Sequence, residues 1–381
     1  MVALVRSGYS VRAVARRYQV SRETVKKWVA RASGKRLDRV SFIDQSRAPH
    51  TIANRSHSDT EALVLQLRRE LKEQSVLGEF GAAAILRELQ RSNLTECPSL
   101  RTIGRILERH GVLDYRRRVR RPAPPKGWYL SRVAQVQVEL DLCDFVEGLF
   151  IRGREIEVFN VISLHGGLAG SFPDVPYNTD RVLQALLQHW QSVGLPQYAQ
   201  FDNDIRFQGP HQHPDSIGRV IRFCLSLGVV PVFAPPREHG LQNAIESYNG
   251  LWQEKVWGRF AHDSLTALQR QSARYQAALR KRHAQRIDNA PERPPFPKAW
   301  QGFEHAPVKG YIIYVRRTDE HGAVSILGRT YQIAENWCHR LLRCEVDINH
   351  RQIRCYALRR SAWNVQPLMR QVNYQLPGRY L

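Results

Sequence analysis

Val11, Val14, Ala15 and Tyr18 recur at helical spacing near the start of the chain, and Val25, Trp28 and Val29 do so again a few residues on. Two such stripes, parted by Gln19-Val20, predict short helices joined by a tight turn. Ser21 stands where its hydroxyl can accept from a free backbone N–H of the second helix. The outer face of that helix carries Arg22, Lys26 and Lys27. This is the pattern of a helix-turn-helix, in which a cationic helix enters a DNA groove. A second set follows in Leu63, Val64, Leu67 and Leu71, then in "GEFGAAAILRELQ" and in "CPSLRTIGRILERHG". In the last of these Ser99 caps, Ile103, Ile106 and Leu107 pack, and Arg101, Arg105 and Arg109 point outward. Beyond residue 132 the period changes. Val136, Val138, Leu140 and Leu142 alternate with polar residues, which predicts a strand. Strands are also expected at "IEVFNVISL", 168–172, "YAQFD" and "VVPVF", with helices at 179–191, 216–227 and 241–260.

These patterns give a multidomain chain. Residues 1–35 form a helix-turn-helix, 36–58 a linker, 59–113 a second helix-turn-helix-like unit, and 114–132 a basic, proline-rich connector. Residues 133–291 form an α/β domain. After a linker at 292–308, the short strands and tight turns of 309–362 predict a small antiparallel β-barrel, followed by a tail at 363–381.

The alternation also places acids. Asp141 falls on the polar side of the first strand of the α/β domain, Asp202 ends "YAQFD", and Glu246 lies on the polar face of the helix in "GLQNAIESYNGLWQ". Three carboxylates from distant segments suit a hard cation such as magnesium or manganese, and paired ions of that kind serve in-line displacement at phosphorus. Asp144 is the rival to Asp141, but it lacks the alternation. Glu238 is the rival to Glu246, but it lies in the proline-glycine loop "APPREHG". Asp204 reads as a turn residue or as a group that supports the metal ligands, and Arg206 as a neighbour of DNA phosphate.

Charge narrows the partner. The chain of 381 residues carries a net +22, a field suited to a polyanion such as double-stranded DNA. It contains no apolar run long enough to span a membrane and no export signal, so a bacterial-type cytoplasmic, nucleoid-associated protein with reduced thiols is expected. The six cysteines form no C-x-x-C pair. His211-x-His213 lacks further zinc ligands at known spacing, and no phosphate-binding loop for ATP is present.

Taken in order, the segments resemble the DDE-type transposases of insertion sequences and the retroviral-type integrases. "SRETVKKW", "IDQSRAPH" and "PSLRTIGRILERHGVL" are similar to the amino-terminal part of that family. "VELDL", "QFDNDIRF" and "APPREHGLQNAIESYN" are similar to its three catalytic segments. The resemblance implies an RNase H-like core, the carboxylate trio Asp141, Asp202 and Glu246, and metal-dependent cleavage at element ends with joining to target DNA. It also implies a homo-oligomer that holds two DNA ends. The chain departs from the family in having Val138-Glu139 where Trp-Gln is usual, and Asp204 and Asn243 where glycine is usual. These departures support two other readings: a DNA-binding protein that kept the fold without the activity, or a nuclease that cuts without joining.

Overall fold

The computed structural model describes residues 1–44, 56–92, 97–113, 125–209, 214–236 and 238–376. The chain divides into two compact units, 1–58 and 59–381.

In the first unit, α1 (Val2–Arg6), α2 (Val11–Arg17) and α3 (Arg22–Arg31) enclose a small core of Val14, Ala15 and Val25. Serines start the last two helices. Ala13 N donates to Ser10 Oγ at 3.2 Å and Thr24 N to Ser21 Oγ at 3.1 Å, each satisfying a backbone donor that the helix leaves unpaired. Arg22, Lys26 and Lys27 are exposed as expected. Tyr18 is not part of the core. It follows α2 and is 47% exposed.

The second unit opens with α4 (Ser58–Gln74), α5 (Ala82–Arg91) and α6 (Leu100–Arg109), packed around Val64, Ile85, Leu89, Ile103, Ile106 and Leu107. Ser99 caps α6 by accepting from Thr102 N at 3.2 Å. Arg101 and Arg105 are exposed. Arg109, expected to point outward, turns back to the buried carboxylate of Glu61, which also meets His110 Nε2 at 2.9 Å. Arg259 ties these helices to the rest of the unit by donating to the carbonyls of Ser75 at 2.6 Å and Glu73 at 2.9 Å at the end of α4.

A short helix, α7 (Ser131–Ala134), occupies the place where the first strand was expected to start. Val136 has φ +58°, in the left-handed region, and is half exposed. Its alternation with Gln135 and Gln137 therefore belongs to a turn, and the strand begins at Leu140. Then come β1 (Leu140–Ile151), β2 (Arg154–Ser163), β3 (Ala169–Asp174), α8 (Thr179–Val193), β4 (Tyr198–Phe201), α9 (Ile205–Gln208), α10 (Arg219–Ser226) and β5 (Val230–Phe233). The expected helix over 241–260 is α11 (Asn243–Trp252) with a π-helical turn at Gln253–Trp257, and α12 (Leu265–Arg282) and α13 (Ala284–Asp288) follow. Gly218 N donates to Gln208 O at 3.0 Å, at the two ends of the segment 209–217. His211 and His213 lie in that segment, outside the described residues.

The carboxyl-terminal strands correct the expectation of a separate barrel. They are β6 (Tyr311–Arg317), β7 (Ala323–Ile326), β8 (Arg329–Gln332), β9 (Leu341–Asp347), β10 (Gln352–Ala357) and β11 (Leu368–Asn373). β6 pairs in parallel with β5, Val232 opposite Ile313 and Phe233 opposite Tyr314. The described strands thus form one nine-stranded sheet, β11-β10-β9-β6-β5-β4-β1-β2-β3, and a separate β7-β8 hairpin, with no closed barrel. Strand signals in a sequence report short antiparallel strands. They do not report which neighbour the first of them will meet.

The sheet is covered on both faces. Cys143, Ala199, Phe201, Ile312 and Tyr314 face α8 and α10, in one core with Trp190 and Phe223. Leu140, Leu142, Val146, Val232, Ile313 and Val315 face α11 and α12, in a second core with Ile245, Tyr248 and Trp252. This is the strand alternation of side chains read across a sheet buried on both sides. α12 shields the β3 edge, where Gln276 and Gln269 donate to the carbonyls of Ser171 and Pro173, both at 2.9 Å.

Candidate active site

β1 and β4 run in parallel, with Leu142 opposite Gln200. Two residues further along each strand come Asp144 and Asp202, and a step of two keeps a side chain on the same face. That face is the α11 face: Gln200 Nε2 donates to Leu241 O at 3.0 Å, just before α11. Glu246 sits in the first turn of α11. Burial, with the negative charge of Asp202 and Glu246 nearby, pushes the Asp144 carboxyl up to about 6. Burial also raises Asp202, against the hydrogen bond from the Asp204 backbone N–H, which lowers it. The charges of Asp202 and Glu246 thus both act on Asp144.

Asp141 is elsewhere. It is one residue out of phase with Leu142 and points to the α8 face, where it is fully buried. Arg293, from the proline-rich connector, donates to both of its oxygens at 2.8 Å, and Trp190 Nε1 donates at 3.0 Å. Burial opposes its charge, but the Arg293 guanidinium overrides this and holds the carboxyl below its usual range. The polar side of the alternating pattern is here an interior face neutralised by an arginine distant in sequence, so Asp141, expected beside Asp202 and Glu246, lies on the opposite face from Asp144. Glu139, in the same segment, is also inward and structural. Its oxygens accept from His165 N at 2.8 Å and Gly166 N at 3.0 Å.

Other side chains hold the gathered acids. Asn249, one helical turn after Glu246, donates Nδ2 to Asp144 Oδ2 at 2.8 Å, and its Oδ1 accepts from the buried Asn160 Nδ2 at 2.8 Å. Asp204 N donates to Asp202 Oδ1 at 3.0 Å, and Asp204 caps α9 by accepting from Arg206 N at 2.7 Å. Arg206 is not open to phosphate as expected. It is paired with Asp204 at 2.6 Å, Glu147 at 2.7 Å and Glu157 at 2.9 Å, and its guanidinium stacks 3.8 Å from the Phe145 ring centre. Glu238 pairs with Arg317 on β6. Asn160 escaped the sequence reading, although a lone amide inside the apolar run "IEVFNVISL" was a signal for it.

Among the described residues, no group of three or more His, Cys, Asp or Glu side chains stands in a coordinating arrangement for a metal ion, and no helix is long and apolar enough to cross a membrane.

Residues 1–31 match the family model of the helix-turn-helix domain of resolvase, so the chain opens with a helix-turn-helix. No curated protein matches the chain. Among solved structures, the simian T-cell lymphotropic virus intasome in complex with PP2A regulatory subunit B56 gamma is 13% identical, over 69% of this chain and 84% of the other, with a TM-score of 0.31. The catalytic core domain of BIV integrase is 15% identical over 38% and 97%, TM-score 0.28. The HTLV-2 integrase catalytic core domain in complex with magnesium, in its trimeric form, is 12% identical over 35% and 81%, TM-score 0.26. Likeness at this level does not establish a shared activity.

Proposed function

We propose that the protein is a DNA strand-transfer enzyme of the transposase and integrase type, with Asp144, Asp202 and Glu246 as its carboxylates. The observation that carries this reading is the convergence of three acids from β1, the end of β4 and α11, with Asp144 raised to about 6. Acids held together raise one another's pKa unless a positive charge joins them. The antiparallel β1-β2-β3 followed by parallel β4 and β5 matches the RNase H-like order expected of such a core.

The residues divide the work. Asn249 fixes the rotamer of Asp144, Asn160 fixes Asn249, and the Asp204 amide fixes Asp202. The donor set is all oxygen, which suits magnesium or manganese in chemical type. An ion held there would supply positive charge against the negative charge that develops on phosphoryl oxygens during in-line displacement. Ser21 at the cap of α3, Arg22, Lys26 and Lys27 in α3, and Arg101 and Arg105 in α6 form the proposed contacts to double-stranded DNA, positioning it through its phosphates.

A labelled DNA-end assay with magnesium or manganese tests the reading. Joined products that vanish in Asp144→Asn, Asp202→Asn and Glu246→Gln are expected. Cut ends without joining make the protein a nuclease, and binding with neither product makes it a DNA-binding protein on this fold.

A further inference from the structure

A side chain of the carboxyl-terminal strands bonds to the loop that carries Asp202. Arg316, near the end of β6, donates Nη2 to Asn203 Oδ1 at 2.8 Å. Its Nη1 donates to the carbonyls of Val315 at 2.9 Å, Ala234 at 3.3 Å and Phe233 at 3.4 Å. Asn203 directly follows Asp202. Its Nδ2 donates to Ala234 O at 2.7 Å, and its Oδ1 also accepts from Gln208 Nε2 at 2.6 Å. Arg316 and Asn203 therefore close a ring of bonds around the end of β5, with the Asp202 loop on one side and β6 on the other.

Arg316 differs from three other arginines of these strands. Arg317 pairs with Glu238, Arg343 with Glu345 and Arg354 with Asp347. Arg316 has no carboxylate partner among the described residues. It sits over the Tyr314 ring at 4.9 Å and spends its donors on neutral oxygens. A half-buried cation without a counter-charge is costly to keep, and its planar fork is the group that bonds several carbonyl-type oxygens at once.

We infer that Arg316 is a positioning residue for Asp202, so that the carboxyl-terminal part of the sheet belongs to the reaction centre of the same chain. The inference rests on the carboxylate reading above. Displacing a reacting group by even an ångström costs rate without costing substrate affinity. Arg316→Gln in the full chain is therefore expected to lower the joining rate at saturating DNA about 10- to 100-fold, with DNA affinity held within about threefold. Arg316→Lys does not restore it, because one ammonium cannot span Asn203 and the Ala234 carbonyl. Arg316→Gln combined with Asn203→Ala is no slower than the slower single variant, as expected for two residues of one unit.

Hydrogen exchange supplies a readout apart from activity. The Asp204 amide, which donates to Asp202 Oδ1, should exchange about tenfold faster in Arg316→Gln, with the β6-β9 ladder unchanged. A normal rate with weakened DNA binding would make Arg316 a DNA contact and overturn the inference. So would loss of protection across the whole sheet, the mark of a merely structural role. If the parent and Asp202→Asn are equally active or equally inactive, the carboxylate reading fails instead, and exchange at Asp204 still decides whether Arg316 holds the loop.

Discussion

Asp141 and Asp144 lie three residues apart on one strand and live in opposite environments. Asp141 faces α8, sealed from water, with Arg293 across both oxygens. Asp144 faces α11, with Asp202 and Glu246 near it and an amide as its donor. One acid is stabilised in its charged form by a cation; the other is destabilised by burial and, beyond that, by like charge. The difference shows that carboxylate chemistry is set by which face of the sheet a side chain takes. An odd step along a strand reverses that face.

The largest test of this contrast is on activity. Asp144→Asn should lower DNA joining about 1,000-fold or more, roughly 4 kcal/mol of barrier, while raising stability, because it removes a repelled charge. Asp141→Asn should do the reverse. It leaves the buried Arg293 unpaired and costs about 3–5 kcal/mol of stability in chemical denaturation, with the rate per folded molecule held within about threefold. A dead but stable Asp141→Asn would exchange the roles assigned to the two residues.

A pH series sharpens the comparison next. The folded pKa of Asp144, about 6, lies above the ordinary carboxyl value, so the native state binds its proton more tightly than the unfolded chain. Stability should therefore fall as pH rises from about 4 to about 6, by at most about 3 kcal/mol from this group. The decline should be smaller in Asp144→Asn, where the raised Asp202 remains, when both proteins are unfolded in urea across that window. Asp141, whose pKa is lowered, loses its contribution only below the ordinary carboxyl range, so Asp141→Asn should retain the decline between pH 4 and 6.

The smallest expected effect is at Asn249. Asn249→Ala removes the donor to Asp144 and the acceptor for Asn160, and should cost about 1–2 kcal/mol of stability. The joining rate should fall about tenfold. A rate unchanged from the parent would remove Asn249 from the positioning of Asp144.

Much of this was written locally. The caps Ser21 and Ser99, the stripe of Val25 and the packed Ile103, Ile106 and Leu107 follow from helical spacing, because those contacts span only a few residues. The places of Asp202 and Glu246 in the fold were legible because one follows a strand end and the other lies on a helix, and each of those facts is local. Asp144 was not, because alternation finds two faces without saying which one is interior.

The sequence by itself determined the helices and their caps, the order of strands and helices from 140 to 252, and the positive charge that suits a polyanion. Tertiary structure decided that β6 joins β5, that Arg293 neutralises Asp141, and that Arg316 reaches Asn203. These last depend on pairings between segments about 80 to 150 residues apart along the chain. Periodicity describes a side chain's direction from its own backbone. Only the folded sheet fixes what stands opposite.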